Sequence, residues 1–108
     1  MKEETQKNIV QLQMLEQNLQ NTLAQKQNFQ AQASEMTNAL KEVKDTKEKI
    51  FKVIGNIMIS VEKNRVEKDL SEKKEILDLR IKNLEKQEKS LKEKFDSLQK
   101  EVMKNIKK

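Results

Sequence analysis

Residues 52–69, KVIGNIMISVEKNRVEKD, differ in kind from everything around them. On either side lie forty-odd residues of Gln, Lys and Glu with regularly spaced Leu, whereas this stretch is β-branched, alternating, and holds the only glycine of the chain. Gly55-Asn56 suits a two-residue type II′ turn, because glycine takes the positive φ required at the first central position. Phe51 to Ile54 would then pair with Ile57 to Ser60 or slightly further. On the second strand Ile57, Ile59 and Val61 point one way, and Met58, Ser60 and Glu62 the other. A lone two-stranded hairpin is marginal in water, and both of its edges would be open to pairing. A bare helical hairpin needs only a few residues to turn. A strand pair at this place therefore predicts a sheet completed by other subunits, the plainer alternative being a loop packed on the end of the helices.

Composition sets the frame. The chain has 108 residues, 34% hydrophobic and 38% charged, with three Phe and no Trp or Tyr. That is too little apolar material for a closed globular core and too regular a pattern for disorder. Charge-rich sequence with periodic Leu, no Pro and one Gly is a coiled-coil composition. With no cysteine there is no disulfide or thiolate chemistry. The first residues lack a signal-peptide run, and no segment approaches the roughly 18 apolar residues of a membrane span. The expectation is a cytoplasmic protein without membrane contact. The net charge of +5 is a thin excess interleaved with Glu. No aromatic residues alternate with basic ones to stack on bases, so no nucleic-acid partner is expected. There is no His, no Cys and no Gly-rich phosphate loop. The expectation is no catalytic residue, no metal site, no cofactor and no enzyme.

A heptad runs through each half. In the first, a positions fall on Leu12, Leu19, Lys26, Ala33 and Leu40, and d positions on Leu15, Thr22, Phe29, Met36, Val43 and Ile50. In the second, Leu70, Leu77, Leu84, Leu91 and Leu98 form an unbroken d ladder, with Glu67, Lys74, Ile81, Glu88, Phe95 and Val102 at a. This predicts a left-handed coiled coil of two helices each roughly 65–70 Å long. The fold class is mainly α: a long antiparallel two-helix coiled coil joined by one β-hairpin. Residues 1–108 form a single domain, with helix 1 at about 3–49, the hairpin at about 50–63 and helix 2 at about 65–107. Asn64 with Glu67 reads as an N-cap and capping box. Folding back places a opposite d in registers whose facing residue numbers sum to 117 or 110. The first, slightly preferred, sets Thr22 against Phe95 and Ala33 against Leu84, small against large. In either, Lys26 and Glu88 fall within one layer of each other. They either pair directly or snorkel separately to water, and a pair would fix register more than add stability.

Apolar residues off the seam are rare along the middle of the helices, where Leu23 is the main one. They recur near the chain ends, as Val10 and Met14 on the first helix and Met103 and Ile106 on the second. Antiparallel folding brings both ends to one tip, where such residues offer adaptable hydrophobic surface. Frayed ends that tolerate a few hydrophobes would leave the same pattern. Ile76 and Leu79, off the seam near the hairpin, are expected to pack on a neighbouring subunit.

The run FKVIGNIMISVEKNRVEKDLSEKKEILDLRIKNLEKQE, residues 51–88, carries a resemblance. With a helix on each side and one hairpin per chain, it resembles the β-type subunit of prefoldin, in its archaeal form. GNIMISV followed by LDLRIKNLEKQE is similar to the family's GNxLIxV…LxLRxxxLxxQE pattern. The Gln-rich first helix matches by composition alone, and the Gly-rich tail of many relatives is missing. The resemblance implies a single prefoldin-like domain in a hexamer of two α and four β subunits. It further implies a chaperone that needs no ATP, holds non-native polypeptides at the coiled-coil tips and passes them to a group II chaperonin. The implied assembly element is Phe51, Val53, Gly55, Ile57, Ile59 and Val61. The implied client-binding tips are Ile9, Val10, Leu12, Met14, Val102, Met103 and Ile106. Lys104, Lys107 and Lys108 are implied as a chaperonin contact, although complementing the helix dipole explains them nearly as well. The alternative from a different class is a structural coiled-coil adaptor or tether, whose tips bind one fixed partner.

Overall fold

The computed structural model describes residues 2–106. The element order is α1 (Glu3–Asp45), β1 (Ile50–Ile54), β2 (Ile57–Val61) and α2 (Lys63–Ile106). The chain divides into two compact units, one of residues up to Gln27 with those from Lys82 on, the other Asn28–Ile81. Both helices contribute to each.

In the first unit the seam follows the heptad. On α2, Leu84 and Val102 are buried, and Leu91, Phe95 and Leu98 are half-buried. On α1, Leu12, Leu15 and Leu19 are half-buried and Thr22 is 4% exposed. The seam reaches one heptad nearer the N-terminus than the leucines indicate, since Thr5, at the preceding a position, is also buried. Gln11 and Leu15 share a groove with Lys94, Leu98 and Glu101, and further along α1 Lys26 meets the earlier Glu88 of α2, so the helices run antiparallel. Lys26 and Glu88 meet directly, Nζ donating to Oε2 at 2.7 Å.

The second unit holds the hairpin and the helix ends that feed it. Ile50 pairs with Val61, Phe51 with Ser60, Lys52 with Ile59, Val53 with Met58 and Ile54 with Ile57. Gly55 has φ of 59°, and no described non-glycine residue has positive φ. Positive φ at the first central residue alone marks a II′ turn rather than I′. Leu77 is buried, and the Arg80 guanidinium carbon lies 5.6 Å from the centre of the Phe29 ring. That cation–π contact agrees with the register summing to 110, in which Phe29 faces Ile81. The small-against-large register that faces Ala33 with Leu84 would put Phe29 eight residues from Arg80, about 12 Å along the axis.

The end of α1 and the start of α2 differ from the sequence expectation. α1 stops at Asp45 rather than near 49, because Thr46 starts a turn: the Glu48 N–H donates to Thr46 Oγ1 at 3.2 Å. The freed carbonyls are capped from across the hairpin, where Lys63 Nζ donates to the Lys44 and Thr46 oxygens at 2.8 and 3.2 Å. Ile50 opens β1, at the expected start of the hairpin, and so does not serve as the d position also assigned to it. α2 begins at Lys63, with the Val66 N–H donating to the Glu62 carbonyl at 3.1 Å. Asn64 is accordingly the second helical residue and not the cap.

Candidate functional site

The expected assembly residues lie on two faces of one hairpin. Because the two-residue turn fixes the partners, Ile50, Lys52, Ile54, Ile57, Ile59 and Val61 share a face, and Phe51, Val53, Met58 and Ser60 share the other. Phe51 and Val53 thus stand opposite Ile57, Ile59 and Val61 rather than beside them. The first face looks onto the start of α2, forming an open groove in which Lys52, Ile54 and Ile59 meet Glu62, Arg65, Val66 and Asp69. Its base, Ile50 and Val61, closes on Val66 and Leu70. The second face has no such backing: Val53 is 65% and Met58 66% exposed. The sequence reading left out Ile54 and Met58, both exposed. Counting partners outward from the turn at 55–56 would have found them.

Exposed β-branched and Met side chains on a two-stranded sheet with open edges favour association. Ile76 and Leu79 are exposed on α2 in the same unit, off the seam as expected.

The expected tip residues belong to the other unit. Val10, Met14, Met103 and Ile106 are half or more exposed. Ile9 and Leu12 are half-buried, and each offers part of its side chain. Val102 is the correction: at 4% exposure it is a seam residue, enclosed between the helices, and presents no surface while they are paired. Lys104 is exposed in the last turn of α2, and Lys107 and Lys108 lie outside the described residues, as does the expected last helical position, 107.

The polar layer of this unit is an ion cluster. Glu88, 8% exposed, accepts from Lys26 on one oxygen and lies 3.0 Å from Lys92 Nζ on the other, an i,i+4 partner on its own helix. The hydrogen bond from Lys26, reinforced by that from Lys92, holds the Glu88 carboxyl below its ordinary value. The same bond raises Lys26 above its own. Among the described residues no group of acidic side chains is placed to hold a metal ion, and no helix is long and apolar enough to cross a membrane.

Two long helices joined in sequence by a hairpin that is apolar on both faces define the class of chain. A family model described as prefoldin subunit matches residues 6–108. The prefoldin β subunit of Methanospirillum hungatei is 36% identical over 103 residues, spanning 94% of this chain and 86% of that protein. That of Archaeoglobus fulgidus is 36% identical over 96 residues, spanning 87% and 83%. The crystal structure of the prefoldin β subunit from Thermococcus strain KS-1 superposes with a TM-score of 0.90 at 30% identity, covering 96% of this chain and 93% of that one. The chain belongs to the prefoldin subunit family, and its relatives there are archaeal β subunits. Membership makes it a chaperone subunit that assembles with other prefoldin subunits.

Proposed function

We propose that this chain is the β subunit of an ATP-independent holdase, a hexamer of two α and four β subunits. Its apolar tips capture non-native polypeptides, and the assembly delivers them to a group II chaperonin. The hairpin is the assembly element and Lys104 a contact for the chaperonin. The observation that carries the reading is the exposure of Val10, Met14, Met103 and Ile106. The seam of that unit is filled without them, so packing within the chain gives no reason for four large apolar side chains there. Two of the four are Met, whose flexible thioether adapts to varied partners.

Changing Val10, Met14, Met103 and Ile106 together to Ser tests this. All seam residues remain, so each change should cost no more than about 0.5 kcal/mol, and assembly through the hairpin should persist. What should fall is protection of a chemically denatured enzyme against aggregation, followed by light scattering. If the quadruple variant assembles and protects as well as the parent, the tips are not the capture surface and the tether reading takes its place.

A further inference from the structure

Three of the four exposed apolar residues of the capture unit, Val10, Met14 and Met103, lie in two shallow, open surface grooves of different electrostatic character. On α1, Val10 and Met14 lie with Gln13, Gln17 and Asn18, amides without charge. On α2, Met103 lies with Gln99, Lys100 and Lys104, and no carboxylate lines that groove. Glu101 turns into the other groove, beside Gln11 and Leu15. The nearest acidic residue N-terminal to Met103 on its own side of the helix is Asp96, about two turns back. Among the described residues neither Lys100 nor Lys104 forms an ion pair. Elsewhere on α2 lysine and glutamate are interspersed. Around Met103 the one glutamate, Glu101, lines the other groove, and the Met103 groove keeps its two lysines without a carboxylate.

From this we infer a client class: the Met103 groove selects extended apolar segments flanked by Asp or Glu, and disfavours those flanked by Lys or Arg. The inference rests on the capture reading above and refines it. An apolar side chain of the client covers Met103, while neighbouring carboxylates reach the Lys100 and Lys104 ammoniums. Repulsion against basic flanks makes the discrimination two-sided. The neutral groove of Val10 and Met14 contributes affinity without preference.

The test uses the assembled protein and three fluorescein-labelled peptides of identical apolar sequence, flanked by Glu, Ser or Lys, with binding read by fluorescence anisotropy. The Glu-flanked peptide should bind about three- to tenfold more tightly than the Lys-flanked one, as two exposed ion pairs allow. Raising the salt to about 1 M, where the screening length is about 3 Å, should bring them to parity. Lys100→Gln with Lys104→Gln should abolish the preference and leave the Ser-flanked peptide unaffected. Lys86→Gln with Lys89→Gln, an equal loss of charge on the same helix away from the groove, should retain it. Equal binding of all three peptides by the parent overturns the inference and leaves the capture reading standing. Binding of none overturns both. A preference that survives the Lys100/Lys104 change, or vanishes with the Lys86/Lys89 change, belongs to overall charge and overturns the assignment to this groove.

Discussion

Glu88 occupies an a position that an apolar residue would ordinarily fill, and two ammoniums hold it there. Its depressed pKa fixes the sign of the pH dependence. The stabilisation is complete above the ordinary glutamate value of about 4.5 and is lost as the pH falls through the lower folded value. The raised Lys26 acts oppositely, its share being complete below about 10.5 and lost above the raised value. Replacing both by Leu trades a desolvated pair for apolar packing, so Lys26→Leu with Glu88→Leu should melt at the same or a higher temperature at neutral pH. The advantage should widen in acid, where only the parent loses the pair. A variant that melts well below the parent at neutral pH would show the pair to be a net stabiliser. Leu84, buried one turn away, is the complementary case: Leu84→Ala should cost about 2–4 kcal/mol in denaturant unfolding. The meeting of Lys26 and Glu88 was legible in the heptad because both registers bring them within one layer. The burial of Val102 was legible too, as an a position. The family resemblance drew it into the tip set against that signal.

At the scale of elements, the hairpin and the two helices were readable because each follows from a local rule: a glycine that takes positive φ, an alternating strand, a leucine every seventh residue. The ends were less so. Thr46, Lys47, Glu48 and Lys49 carry nothing that forbids helix, and what stops α1 is a threonine turn backed by an ammonium from Lys63, a contact between residues far apart in sequence. Asn64 has the right chemistry for a cap, but α2 starts one residue too early for it to serve. Gly55 is the residue on which the hairpin turns. A Cβ there would meet nothing within 4 Å, so Gly55→Ala is penalised by backbone conformation alone, about 1–2 kcal/mol. Faster amide hydrogen exchange in Ile50–Ile54 and Ile57–Val61 would register it, and unchanged exchange would contradict the turn assignment. Ile59→Lys probes the sheet faces: in the proposed assembly an ammonium at this position would be buried between subunits, which is costly, so the oligomer should dissociate while most helical circular dichroism remains. An unchanged sedimentation coefficient would remove the hairpin from assembly.

For the whole molecule, the hairpin proposed for assembly and the tips proposed for capture lie in separate units of the chain, which makes their contributions separable by experiment. A holdase with several identical tips gains its hold on a long unfolded chain by engaging it more than once, each further contact being intramolecular at high effective concentration. A single subunit offers the same Val10, Met14, Met103 and Ile106 but only one set of them. The Ile59→Lys subunit, once dissociated, should therefore bind a short apolar peptide, small enough for one tip, with the affinity per tip of the parent assembly. Its hold on a full-length denatured enzyme should weaken by about a hundredfold or more, since avidity of that order is lost with the partners. Anisotropy with the peptide and suppression of light scattering with the enzyme measure the two quantities on the same preparation. If the dissociated subunit protects the enzyme as well as the assembly does, one tip suffices and the shared sheet serves something other than capture. If it loses the short peptide as well, the hairpin shapes the tip itself, and the division of labour between the two units fails.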